Sequence, residues 1–318
     1  MQKSDLNLVE PRVPGVGGSL LVLVGFLIIG MAIGNILAIV ILSLFLSADA
    51  DSIVNVLNQL NTAPDQVPNG WYIMMILQGT VHFFSYLFPS LLFWWFIERK
   101  PLSGFQNKEN PNSLTWLLTF LLVLVFIPLN SKFIEWNSEM TLPQAFSGIE
   151  IWMKDKEDQL AVLTKFLTDY TSFSQLLIAL FVVVLLPGLG EEMLFRGIIQ
   201  KKLFRQTGNI HIAIFISAAI FSAIHLQFYG FIPRMLLGAV FGYLYYWSGS
   251  LWVPIFAHFI NNGFILVMVY LYKVNVLSVN IEEIKTMPLS TVLLSLALST
   301  GILYLIRKAG SRQIRVVS

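Results

Sequence analysis

Long apolar runs separated by short polar stretches dominate the chain. They fall at about 18–47, 71–97, 114–130, 173–200, 210–230, 233–248, 251–272 and 288–306. Most reach the ~20 residues that a helix needs to cross a bilayer; the sixth is short and glycine-rich. Transmembrane β-barrels show alternating segments of ~10 residues instead. The pattern predicts an all-α fold, a polytopic transmembrane helical bundle of about eight spans. The first run follows Lys3 and Arg12 and precedes Ala48-Asp49-Ala50, which resembles a signal cleavage site. It is far longer than the ~7–15 residues of a signal-peptide core, so it is expected to remain as the first helix. Between spans three and four, Ile151, Trp152, Leu160, Leu163, Phe166 and Leu167 recur at about helical spacing among charges. This predicts an amphipathic helix lying against the membrane or the bundle.

Three regions follow. Residues 1–170 form an N-terminal transmembrane region with three spans and the extracytoplasmic amphipathic segment. Residues 171–275 hold the candidate chemistry, and 276–318 form a final span and a basic tail. No internal repeat is visible.

Composition supports a membrane protein: of 318 residues, 56% are hydrophobic and 12% charged, with a mean hydropathy of +0.73. Soluble domains are about 25% charged. A net charge of +2 gives no footprint for a nucleic-acid partner. The chain has no cysteine, which excludes disulfides, cysteine catalysis and thiolate metal sites. The terminal Arg315-Val316-Val317-Ser318 also lacks the cysteine of a prenylated tail. Charge placement is more informative. Loop 48–70 has no Lys or Arg, whereas Arg99, Lys100 and Lys108, then Lys201, Lys202 and Arg205, and finally Arg307, Lys308, Arg312 and Arg315 follow alternate spans. The positive-inside rule then puts both termini in the cytoplasm, in a membrane expected to be the bacterial inner membrane. Loop 131–172 is outside in this arrangement although it holds Lys132, Lys154, Lys156 and Lys165; it is also acidic, and long loops follow the rule weakly.

Ionisable residues inside apolar runs are costly and tend to be functional. Glu191 and Glu192 are adjacent in span four, with Arg196 one turn on. On a helix Glu192 and Arg196 share a face and can pair, while Glu191 is turned about 100° away. Glu192 is then neutralised and Glu191 is left free as a base. An ordinary interfacial charge cluster is the plain alternative. Pro187, Gly188 and Gly190 just before the pair predict a kink or break. His225 follows Phe221 by one turn, and His258 and Asn262 are four apart on one face. Either histidine alone would more often be structural; the joint occurrence, at intervals of 34 and 33 residues from Glu191 through His225 to His258, suits neighbouring spans.

The series Glu-Glu-x-x-x-Arg, Phe-x-x-x-His and His-x-x-x-Asn, in this order over about residues 180–275, resembles the CAAX protease and bacteriocin-processing (CPBP, or Abi) family, which includes the type II CAAX prenyl endopeptidases. The resemblance implies a membrane-embedded hydrolase, an endopeptidase acting on a peptide or protein substrate, with lipid-modified tails among the candidates. It implies Glu191 as the catalytic glutamate, His225 as the residue positioning or activating the water, and His258 and Asn262 as stabilisers of the oxyanion, with Glu192 and Arg196 supporting.

Glu191, His225 and His258 could alternatively hold a divalent metal, zinc first, as a His₂Glu site with one open position. The working label is a metalloprotease, although His-Glu-x-x-His is absent. Counted from Lys201/Lys202 at 1.5 Å per residue, Glu191 lies about 15 Å deep, His258 about 10 Å, Asn262 about 16 Å and His225 about 22 Å. This puts the site nearer the cytoplasmic side and His225 out of line. His82, His211 and Arg234 are read as structural, interfacial and snorkelling residues. Two other functions use the same residues: a non-proteolytic membrane scaffold or bacteriocin-immunity protein, and a proton-coupled transporter with a Glu/His relay.

Overall fold

The structure, a computed structural model, describes residues 15–46, 50–106, 111–279 and 287–314. Lys3, Arg12, Ala48-Asp49, Lys108, Arg315 and the side chain of Arg312, on which parts of the sequence reading rest, lie outside the described residues. The protein is a polytopic helical bundle. Its helices are α1 (Val16–Leu46), α2 (Ala50–Thr62), α3 (Gly70–Phe96), α4 (Ser113–Ser138), α5 (Ser147–Leu167), α6 (Phe173–Thr207), α7 (Ile210–Ala223), α8 (Phe231–Ser248), α9 (Trp252–Lys273) and α10 (Leu289–Ile314). Among the described residues there is no β-strand, only an isolated bridge between Gln106 and Ser250.

Six helices, α1, α3, α4, α6, α9 and α10, are long and apolar enough to cross a membrane. The other two apolar runs are shorter helices. α7 has 14 residues and α8 has 18; 14 residues reach only about 21 Å, short of the ~30 Å hydrocarbon core. The run expected at 210–230 is helical only to Ala223. Leu226 then takes a left-handed backbone with φ 54°, which a branched side chain resists, and the chain turns back into α8.

Proline shapes the two helices that carry the site. Where the sequence predicted a kink or break, α6 is not broken at Pro187. Instead α6 widens into a π turn over Leu180–Leu185 and another over Met193–Gln200. α3 does the same at Phe83–Leu87, just before Pro89. A proline removes one ladder hydrogen bond and its ring collides with the carbonyl four residues back. A π turn re-spaces that carbonyl and lets the helix continue, a device frequent at functional sites.

The two ends of the bundle differ. At the C-terminal ends of α3 and α6, Glu98 gathers Lys202, Lys100 and Arg205, and Lys202 also donates to Ser19 Oγ at 2.6 Å. Burial would raise the Glu98 carboxyl, but Lys202 and Lys100 pull it below its ordinary range. At the opposite end, α5 bridges from α4 to α6. It leaves Ile149, Ile151 and Val162 exposed, while Trp152 touches the Phe228 ring at 5.2 Å and the carbonyl of Leu167 accepts from Trp71 Nε1 at 3.0 Å. α5 thus lies over the loop that joins α7 to α8.

Candidate active site

α6 brings Glu191, Glu192 and Arg196 against α8 and α9 in the middle of the bundle, all nearly inaccessible. Arg196 Nη1 donates to Glu192 Oε1 at 2.8 Å, and Nη2 donates to the Gly238 carbonyl of α8 at 2.8 Å. The guanidinium lies 4.7 Å from the Phe221 ring centroid and 5.6 Å from that of Phe241, a desolvated cation–π setting. A side chain at Gly238 would meet Arg196 Nη2 at 3.1 Å and Phe221 at 3.2 Å, so glycine there lets α8 approach. The same Glu192 oxygen faces His258 Nδ1 at 2.9 Å. A carboxylate paired with arginine only accepts, so His258 carries its proton on Nδ1 and presents the lone pair of Nε2.

Glu191 takes no part in that network. Its Oε1 lies 3.9 Å from His82 Nε2 and its Oε2 3.9 Å from His258 Nε2. It faces a cavity of ≈ 930 Å³ that His82, His225, His258, Asn261 and Asn262 also line. His225 is in the turn after α7, where its Nδ1 is 2.7 Å from the Phe221 carbonyl. That bond fixes the proton on Nδ1 and leaves Nε2 as an acceptor. Asn261 Nδ2 donates to Asn262 Oδ1 at 3.0 Å, which orients the Asn262 amide so that its NH₂ is a donor.

The cavity extends from Glu191 to Lys154, Glu157 and Asp158 of α5. It therefore opens toward the α5 end of the bundle, not toward the Lys201/Lys202 end that served as the origin for the depths. Two further residues belong to this wall against the sequence expectation. His82, expected to be structural, has a buried Nε2 without a hydrogen-bond partner next to Glu191, and its ring stacks on Tyr86 at 4.6 Å. The signal is present in the chain: Gln78, His82 and Tyr86 are spaced by four, and all three line the cavity. Arg234, expected to snorkel, also lines it. His211 is exposed at the start of α7 and its Nδ1 is 2.6 Å from Tyr243 Oη.

His82→Ala should slow hydrolysis about tenfold, less than the ~10²–10⁴-fold of a general acid or base, as suits a residue that only flanks Glu191. The mutant should keep most of its melting temperature in detergent, since the buried Nε2 leaves no hydrogen-bond partner behind and only the stacking on Tyr86 is lost. Steady-state rates beside a thermal melt check this; an unchanged rate would return His82 to a structural role.

The donor set of three imidazoles and a carboxylate has the chemistry of a zinc site. Two ligands of one tetrahedral zinc lie about 3.3 Å apart, given bonds of ~2.0–2.1 Å, and the pairs here are at 3.9 Å. Among the described residues no three such side chains converge closely enough to hold a metal ion.

Comparison with known proteins agrees with this architecture. Residues 173–264 match the family described as Type II CAAX prenyl endopeptidase Rce1-like. The match covers under a third of the chain, and over that segment the chain is similar to the CAAX proteases. It is 37% identical over 78 residues to "Putative membrane peptidase YdiL" of Bacillus subtilis (strain 168), covering 24% of this chain and 32% of that protein. It is 35% identical over 96 residues to the membrane-embedded CAAX protease MroQ of Staphylococcus aureus (strain USA300), covering 28% and 38%. An uncharacterized protein of Bacillus subtilis (strain 168), YpbD, is 35% identical over 82 residues, 24% of this chain and 39% of that one. The matched segment thus spans between a third and two fifths of these relatives. No solved structure matches the chain significantly.

Proposed function

We propose that this protein is an intramembrane endopeptidase in which Glu191 activates the attacking water. The observation that carries the reading is the division of labour between the two glutamates: Glu192 is bound to Arg196 and His258, while Glu191 faces the cavity unbonded. A water beside Glu191 gives one hydrogen bond to its carboxylate and the other to the Nε2 lone pair of His258 or His225. Its own lone pair then points at the substrate carbonyl. As the C–O bond forms, Glu191 takes one water proton and the other stays on the attacking oxygen. The carbonyl oxygen becomes an oxyanion and receives the Asn262 NH₂, a preorganised donor of the kind that stabilises such intermediates. Glu191 then passes its proton to the amide nitrogen, the C–N bond breaks, and the new carboxylic acid gives its proton to the freed amine, so that a carboxylate and an ammonium leave.

The test is cleavage of a quenched fluorescent peptide library by detergent-purified wild type, Glu191→Ala and His258→Ala, with and without a chelator. Loss in both variants supports the mechanism. Loss on chelation that zinc reverses would favour the metal-assisted form at Glu191, His225 and His258. Wild-type cleavage by Glu191→Ala would sink the proposal.

The orientation belongs to the same reading. The basic groups Arg99, Lys100, Lys201, Lys202 and Arg205 cluster away from α5, so the positive-inside rule makes the α5 end extracytoplasmic, with both termini in the cytoplasm of a bacterial inner membrane. Substrate then approaches from outside or laterally from the bilayer, whereas the depths alone put the site nearer the cytoplasmic side. Because the chain has no cysteine, single cysteines at Asp155 and Arg99 can be probed in intact cells with an impermeant maleimide. Labelling is expected at position 155 only; the reverse pattern would invert the topology.

A further inference from the structure

Two cationic side chains line the cavity without a part in the hydrolytic steps; Lys154 is paired with Glu150, and the other is Arg234. Arg234, in the first turn of α8, lies in the wall of the cavity that contains Glu191. One side of its guanidinium is occupied, because Nη2 donates to Gln227 Oε1 in the loop after His225. The group is folded against Gly230, where a Cβ would meet Nη2 at 3.3 Å. Nη1 is buried and has no hydrogen-bond partner. The carboxylates that act on it through space are Glu157 of α5 and Glu191, and neither forms an ion pair with it among the described residues. Burial raises the Glu157 carboxyl above its ordinary range, against the opposing pull of the Tyr229 backbone and Arg234. A buried, unsatisfied cationic donor is costly, and a guanidinium with one edge fixed and the other unpaired keeps donors for a planar anion that reaches it from the cavity.

We propose that Arg234 is a substrate anchor that binds a carboxylate of the peptide being cut. This rests on the peptidase reading for the identity of the ligand as a peptide. The carboxylate is the free C-terminus or an acidic side chain, both of which offer the same two oxygens. Gln227 and Gly230 hold the guanidinium on the turn that also carries His225, so anchoring the anion sets the peptide in register with the water site. Arg234 acts on binding; the bond-breaking steps remain with Glu191.

The experiment measures binding apart from turnover. Detergent-purified Glu191→Gln protein is titrated with three fluorescent decapeptide libraries: free C-terminal acids, the same peptides amidated, and amidated peptides carrying one internal Glu or Asp. At least one carboxylate-bearing library is expected to bind about 10-fold tighter than the amidated neutral one, and which one identifies the source. Arg234→Gln in the same background should abolish that preference, and Arg234→Lys should keep part of it. The lysine variant keeps the test valid should the glutamine variant fold poorly, with thermal melts run on each. Equal binding of all three libraries, including no binding of any, overturns the anchor, as does a preference that survives Arg234→Gln. Peptide preference lost in Arg234→Gln while the Glu191-intact protein cleaves nothing would refute the peptidase reading and leave the anchor standing. Cleavage without any carboxylate preference would do the reverse.

Discussion

Replacing Glu191 with glutamine is expected to lower peptide cleavage by about 10²–10⁴-fold, the range for losing a positioned general base, with KM little changed. Glutamine keeps the shape and removes the proton acceptor. The fold should tolerate it, because the Glu191 carboxylate makes no hydrogen bond shorter than its two 3.9 Å approaches to His82 and His258. The ion pair beside it belongs to Glu192. The melting temperature should hold or rise, since an ionised carboxylate in low dielectric is costly unless paired. Single-turnover cleavage and a thermal melt on the same preparation check both parts. A Glu191→Gln protein that cleaves at the wild-type rate would remove Glu191 from the chemistry. One that fails to fold would instead point to a structural carboxylate.

The largest stability effect is expected at Arg196. Its guanidinium is 1% exposed, and Glu192 beside it is 0% exposed, so truncation leaves a carboxylate with no counter-charge and no water. Removing one partner of a buried ion pair costs roughly 3–5 kcal/mol, and Arg196→Ala also strips the Gly238 carbonyl of its donor and the rings of Phe221 and Phe241 of their cation. Activity should fall too, because Glu192 Oε1 is the group that orients His258. Arg196→Lys is expected to rescue little: an ammonium cannot hold two acceptors on two helices in the fork geometry of arginine. Glu192→Gln is the informative companion. It keeps an acceptor for Arg196 but loses the charge that fixes the His258 tautomer, so it should cost activity more than stability. Thermal unfolding in detergent together with cleavage rates separates these outcomes. Wild-type stability in Arg196→Ala would mean that the network is dispensable.

Much of the bundle is legible along the chain, for a physical reason. In a bilayer every backbone group must be satisfied within the segment, so long apolar runs are helices almost by necessity, and the charges among them stand out. The spacing of four between Glu192 and Arg196 needs only helix geometry to become a pair. The amphipathic pattern at 149–167 likewise needs only a 3.6-residue period to become α5. In each case the partner is close in sequence and the rule that joins the two is local.

Other features depend on how helices end and which faces meet, and these emerge only from packing. The early stop of α7 after Ala223 turns on the backbone at Leu226, and hydropathy does not register it, because the apolar run continues. The π turns in α3 and α6 redirect faces without changing composition, so α6 runs on unbroken where proline and glycine predicted a kink or break. His82 and Arg234 come from helices far apart in sequence, and their meeting with Glu191 is a property of the assembled bundle. So is the side on which the cavity opens, which follows from α5 lying over the α7–α8 loop. Local rules suffice to single out the residues too costly to bury in a membrane without a purpose. Which of those residues face one another is set by contacts between distant helices, where no local rule reaches.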